Sequence, residues 1–210
     1  MSGGKRRYES PKRRQQADAT RRRLAASARR LFAKNGYAAT TIESIARDAG
    51  VAVQTFYATY GSKRAVLFAI LDEAEAEADL SGLLADLQKT ASDPRRQLRL
   101  IVDFNVRLFQ RSADILEILR AAGSTDTDLA SVWREGEERR RKGQAPLVRE
   151  WVKRDALRPG LKEPEAADIL WALSSPDIYR LFVVERRWSV ARYREWLMAT
   201  LEQLLFKHSA

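Results

Sequence analysis

Residues 40–68 read TTIESIARDAGVAVQTFYATYGSKRAVLF, two short apolar periods separated by a glycine. Thr40 followed three residues later by Glu43 matches a capping box and predicts a helix start. Ile42, Ile45, Ala46 and Ala49 then recur at helical spacing. Gly50 ends that helix after about two turns. A second short helix runs from Ala52 to Tyr60, where Gly61-Ser62 stops it, and Ser62 caps a further helix through Val66, Leu67, Ile70 and Leu71. Two short helices joined by Ala-Gly-Val form a helix-turn-helix, in which the second helix lies in the DNA major groove. Its outward residues are then the readers: Ala52, Val53, Gln54, Thr55, Tyr57 and Thr59, with Phe56 turned to the core. Gln54 can offer its amide to an adenine edge and Val53 can meet a thymine methyl. Thr55, Tyr57 and Lys63 suit phosphates, as do the backbone amides at the helix starts Thr40 and Ser62.

The charge pattern upstream agrees. Residues 1–63 hold 14 Lys or Arg against 4 Asp or Glu, while residues 64–210 hold 24 of each. The whole excess of +10 therefore sits on the first third of the chain, the footprint of a polyanion-binding head on a neutral body. Residues 1–16 are polar, without an apolar face, and read as a flexible arm carrying Lys5, Arg6, Arg7, Lys12, Arg13 and Arg14. Two readings of that arm stand side by side, a DNA contact and a solvated tail. From about Ala17 a helix follows, with Leu24, Ala28, Leu31 and Phe32 on one stripe and a stop at Asn35-Gly36.

The remainder reads as helical throughout. Asp93-Pro94 starts a helix whose face carries Leu98, Ile101, Val102, Asn105, Leu108 and Phe109, and Asp114–Ala122 reads as a separate short helix. A longer stretch carries Trp133 and Trp151, with a break or bend expected at Pro146. A further helix from Pro164 has Pro176 near its middle. The last helix, capped by Ser189, has the stripe Tyr193, Trp196, Leu197, Thr200, Leu201, Leu204 and Leu205. A terminal helix that apolar needs a partner, which predicts a dimer seam through Trp196, Leu197, Leu201 and Leu204. The run Arg139-Arg140-Arg141-Lys142 follows Glu135, Glu137 and Glu138 and reads as a salt-bridged helix face rather than a second nucleic-acid site.

The quoted segment resembles the DNA-binding region of TetR-type regulators. Thr41, Ile45, Ala46, Ala49, Gly50, Val51, Thr55, Tyr57, Ser62, Lys63 and the Val66/Leu67 pair fit the usual pattern. Ala52 stands where serine is common, Tyr60 where phenylalanine is common, and Thr59 where histidine is frequent. The resemblance implies an all-α protein: a basic arm (1–16), a helix-turn-helix domain (17–63) and a helical regulatory and dimerisation domain (64–210). It also implies a homodimer on a double-stranded DNA operator, a small-molecule effector held in the body, and repression relieved when that effector moves the fourth helix and spreads the heads. Since the family binds its ligand in this half, Trp133 with Phe104, Arg107 and Leu108 are candidate lining residues.

Other classes find little support. The chain has no cysteine, which excludes disulfides and thiolate chemistry and fits a cytoplasmic protein. No apolar run approaches the roughly 20 residues that span a bilayer. Its single histidine, His208, is two residues from the C-terminus, so no catalytic set is expected, nor a metal or cofactor site. The alternative from a different class is a helical ligand-binding or protein-interaction dimer that no longer reads DNA, which the missing serine at Ala52 favours slightly.

Overall fold

A computed structural model describes residues 11–122 and 127–207. Lys5, Arg6, Arg7 and His208 lie outside the described residues. Within them the structure is helical apart from an isolated bridge between Leu157 and Phe206. The chain forms two compact units that divide between Leu71 and Asp72.

The first unit contains α1 (Pro11–Asn35), α2 (Ile42–Asp48), α3 (Val53–Tyr60) and the first half of α4 (Lys63–Glu77). Helix α1 begins at Pro11, six residues before the start read from the apolar stripe. Proline suits a first helical position, and the Lys, Arg, Gln and Ala residues that follow are good helix formers, so no apolar face is needed. Lys12, Arg13 and Arg14 are therefore helical and exposed, not part of a flexible arm. Leu24, Ala28 and Phe32 from α1 join Ile45, Ala46, Phe56, Val66 and Leu67 among the fully or nearly fully buried residues.

The start of α2 differs from the sequence reading by one residue. The cap is Thr41, in extended conformation, with a reciprocal pair to Ser44: the Ser44 amide donates to Thr41 Oγ1 at 3.1 Å and the Thr41 amide to Ser44 Oγ at 3.2 Å. Thr40 is occupied elsewhere. Its hydroxyl lies within hydrogen-bonding distance of the carbonyls of Gly36 (2.7 Å) and Leu31 (3.1 Å), closing the carboxyl end of α1.

The second unit contains α5 (Leu80–Lys89), α6 (Pro94–Ala122), α7 (Thr127–Lys153), α8 (Glu163–Leu173), α9 (Pro176–Tyr179), a π-helical turn at Arg180–Glu185, and α10 (Val190–Leu205). Helix α6 is continuous where two helices were expected. The residues around Arg111 lack a breaker, and Ser112 donates back to the Leu108 carbonyl at 2.7 Å. Helix α7 runs on through Pro146. Pro176 begins a new helix instead of interrupting one. Ser174 ends α8, and the Ser175 hydroxyl accepts from the Ile178 amide at 3.3 Å, so α9 has its own cap and a proline at its first turn.

The core of this unit gathers Leu98, Ile101, Val102 and Phe109 of α6 with Val148 and Trp151 of α7, Leu170 of α8, and Tyr193, Leu197, Leu201 and Leu205 of α10. Trp151 is fully buried and its indole N–H donates to Gln97 Oε1 at 2.8 Å, which satisfies both polar groups. Leu197 and Leu201 are 1% and 0% exposed within the single chain. They face α6 and α8, not a free surface, so the seam expected through them is corrected: the stripe on α10 is apolar because its own chain covers it. Trp196 and Leu204 are half-buried and keep some surface. Among the described residues, no helix is long and apolar enough to cross a membrane.

Candidate nucleic-acid interface

The turn between α2 and α3 is built by the backbone. The Ala49 amide bonds Ile45, the Gly50 amide bonds Arg47, and the Val51 amide reaches back to the Ala46 carbonyl at 3.0 Å. This closes the helix end with Gly50 in the left-handed region at φ 65°, a conformation that costs a side-chain-bearing residue. Ala52 is the N-cap of α3 and makes no side-chain cap bond, so the absent serine leaves the first amides of α3 without a side-chain acceptor.

Helix α3 turns Phe56 fully inward, where its ring lies 5.9 Å from Tyr60. Ala52, Gln54 and Tyr57 are exposed, Tyr57 by half its surface, while Val53, Thr55 and Thr59 are half-buried. The Thr59 hydroxyl donates to the Thr55 carbonyl at 2.6 Å, so its proton is turned back on the helix. Thr41 is exposed but serves as the cap of α2.

Two of the residues expected at DNA serve the fold instead. Thr40 is 1% exposed, its amide donates to the Tyr37 carbonyl at 3.2 Å and its hydroxyl is bonded as described, so neither group is open to a phosphate. Lys63 points its ammonium inward. Nζ donates to the carbonyls of Tyr37 at 2.8 Å and Thr40 at 3.0 Å, and lies 4.1 Å from the centre of the Tyr37 ring. The loop between α1 and α2 leaves these carbonyls without helical partners, and one cation gathers both. Tyr60 pins α3 to α1 in a similar way, donating to the Arg21 carbonyl at 2.9 Å while Arg21 covers its ring.

The electrostatics of this face are positive. Arg21, Arg22, Arg23, Lys34 and Arg47 are exposed, and Asp48 is engaged by Arg30 at 2.6 Å. A hydrogen bond from Ser27, then one from Arg30, hold the Asp48 carboxyl below the ordinary carboxylate range. Glu43 is also lowered, first by its own backbone amide and then by Thr41. Arg47 is an interface candidate that the sequence reading missed. Its signal was available: an exposed cation on the helix that crosses the DNA backbone.

The candidate ligand-lining residues differ in burial. Phe104 is buried, Leu108 and Trp133 are half-buried, and Arg107 is exposed with its guanidinium Nε donating to the Ala78 carbonyl at 3.2 Å. Arg111 does the same for Glu77, so these two arginines close the end of α4. On α7, Arg141 and Lys142 pair with Glu138 as the charge spacing implied, whereas Arg139 pairs with Asp72 and Glu75, far away in sequence.

A short crossing helix, a glycine turn and a second helix with an exposed polar face define a helix-turn-helix DNA-binding protein. Residues 24–70 match the sequence profile of bacterial regulatory proteins of the tetR family. No curated protein matches the sequence. The fold is similar to that of NalD, the secondary repressor of the MexAB-OprM multidrug efflux pump in Pseudomonas aeruginosa, with a TM-score of 0.74 at 22% identity, over 92% of this chain and 100% of that one. SmeT in complex with triclosan gives 0.73 at 20%, over 91% and 93%. A candidate transcriptional regulator from Saccharomonospora viridis in complex with choline gives 0.69 at 22%, over 91% and 100%.

Proposed function

We propose that this chain is a sequence-specific transcriptional repressor that binds double-stranded DNA as a homodimer and releases it when a small molecule occupies the body. The observation that carries this reading is the exposed face of α3. Gln54 and Tyr57 stand outward on a helix held by the Gly50 turn and by the buried Phe56, in the unit that holds the basic excess. Gln54 is the base reader, while Arg47, the first turn of α3 and the cationic side of α1 supply phosphate contacts. The helical start of α1 extends this role. Residues 12–19 are exposed along their whole length, so Lys12, Arg13 and Arg14 are carried on a helix that presents charge rather than packing.

For the dimer, the half-buried Trp196 and Leu204 are joined by the exposed Leu181 and Val184 on the π-helical turn. Phe182 packs at tilted angles against Trp188 and Trp196, at 4.5 and 4.4 Å between ring centres, giving that surface an aromatic base. A two-fold seam here holds two heads at a fixed separation, as half-sites about 34–36 Å apart require. The effector half of the reading is supported by neighbours of the same fold: the Saccharomonospora viridis protein holds choline and SmeT holds triclosan.

The test is selection of binding sites from a random duplex library by the full chain, followed by titration against salt. The reading expects a two-fold symmetric site and a steep fall of affinity with salt. Equal weak binding to every duplex would instead support the helical dimer that no longer reads DNA.

A further inference from the structure

The body buries a polar feature that DNA reading does not use. Asn105 on α6, Gln144 on α7 and Tyr193 on α10 are 4%, 7% and 0% exposed. Asn105 Nδ2, Gln144 Oε1 and the Tyr193 hydroxyl have no hydrogen-bond partner among the described residues. Such groups weaken a fold, and buried polar atoms are as a rule paired.

The three lie at one level of the helix bundle. The Trp151–Gln97 bond joins the end of α7 to the start of α6, so these helices run antiparallel. Eight residues along α6 from Gln97 is Asn105, and seven residues back along α7 from Trp151 is Gln144, about two turns in each case. The pairs Arg194–Asp103 and Arg95–Glu202 set α10 antiparallel to α6, which brings Tyr193 opposite Asn105. Tyr193 also feels the charge of Arg140, one turn before Gln144.

The orientation of Gln144 is fixed. Ser174 Oγ donates to the Leu170 carbonyl at 2.6 Å, so it must accept from Gln144 Nε2 at 3.1 Å, and Oε1 is left over. The Arg140 charge is already spent. Its guanidinium holds Glu137 at 2.5 Å and the carbonyls of Trp171 and Ser174 at 2.6 and 3.3 Å, capping α8. Burial pushes the Tyr193 phenol up, so it stays protonated. What remains is a neutral set offering an amide donor, a carbonyl acceptor and a hydroxyl, within a core that includes Val102, Phe109, Leu170 and Leu197.

We propose that Asn105, Gln144 and Tyr193 form the head-group site for the effector, and that the effector is a neutral, largely apolar molecule bearing a carboxamide-like pair of donor and acceptor. This rests on the reading of the chain as an effector-controlled regulator. An apolar body replaces core contacts, and one head group satisfies all three orphaned atoms at once. A cation or a carboxylate finds there only charges that are already paired, such as Arg140 with Glu137, and is disfavoured.

The experiment is calorimetric titration of the full chain with linear primary amides of four to ten carbons, beside carboxylates and trimethylammonium compounds of the same lengths. The proposal expects amides alone to bind. It expects Tyr193→Phe and Asn105→Leu each to weaken that binding at least tenfold while the melting temperature without ligand stays level or rises, since each removes an orphaned buried group. Binding of either charged series as tightly as the amides, no binding by any amide, or a lowered melting temperature in both variants would overturn it, the last by showing that the groups are structural. Displacement of the selected DNA site is followed in parallel. Amide binding that leaves DNA bound keeps the site and removes the effector reading. Release by a compound indifferent to both variants keeps that reading and overturns the site.

Discussion

Replacing Lys63 by alanine separates a residue that builds the head from one that touches DNA. In the structure its ammonium donates to two carbonyls, at 2.8 and 3.0 Å, and covers the Tyr37 ring at 4.1 Å. A hydrogen bond to a charged group is worth about 1.5–3 kcal/mol when buried, and a cation over a ring about 0.5–1 kcal/mol at an exposed site. Lys63 is half-buried, and the Tyr37 carbonyl keeps a second donor in the Thr40 amide at 3.2 Å, so the lower end applies. We therefore expect a loss of about 2–4 kcal/mol from the first unit alone, allowing for non-additivity. All five tryptophans lie in the second unit, so their fluorescence on denaturation should not move, whereas hydrogen exchange of peptides from residues 37–70 should accelerate. At a temperature where the variant head is folded, the slope of log affinity against log salt should equal the parent's. A slope reduced by about 0.9, the value for one lost phosphate contact, with exchange unchanged, would refute this reasoning and return Lys63 to the DNA.

Further expectations follow from the same geometry. Gln54→Ala should cost about 1–3 kcal/mol on the selected site and almost nothing on random duplex, measured by competition titration. Leu201→Glu places an unpaired carboxylate at a position with no exposure and should destabilise the second unit by at least about 3 kcal/mol, seen as an earlier tryptophan unfolding transition. Val184→Glu, at an exposed position, should leave that transition in place and shift sedimentation toward monomer. The carboxyl of Asp48 is held below its unfolded value of about 3.9, so its contribution is present above that pH and fades as pH falls through the lower folded value. Asp48→Asn should thus destabilise the head at pH 7, and by less in acid once the Asp48 carboxyl is protonated, by hydrogen exchange or circular dichroism. An equal penalty at pH 7 and in acid would show that the side chain acts by shape, not charge.

The helix-turn-helix was legible in the sequence because its information is local. A glycine between two short apolar periods, and one inward aromatic at Phe56, specify the turn without distant contacts. What the sequence could not convey depended on partners far along the chain. Thr40 and Thr41 both satisfy a capping pattern, and only the reach of its hydroxyl to the carbonyls of Leu31 and Gly36 assigns Thr40 to α1. A lysine at a helix start reads as a phosphate ligand until Tyr37 is seen to present its carbonyl and ring. The stripe on α10 showed that Leu197 and Leu201 are covered, but periodicity is silent on whether the cover is the same chain or another. Ser174 and Ser175 before Pro176 carry a stop and a start, a serine cap followed by a proline in the first turn, within a stretch whose periodicity reads as one longer helix. Asn105, Gln144 and Tyr193 sit among apolar positions, and only the register of three helices brings them together.

If α3 reads base edges, it discriminates between DNA sequences. The most direct measurement is the ratio of affinities of the full chain for its selected duplex and for a scrambled duplex of equal length, at fixed salt, in the parent and in Gln54→Ala. The expected ratio is at least about 10³ in the parent, falling by roughly ten- to a hundredfold in the variant, with the scrambled duplex bound equally by both. A parent ratio near one, or a ratio untouched by Gln54→Ala, would contradict base reading by α3.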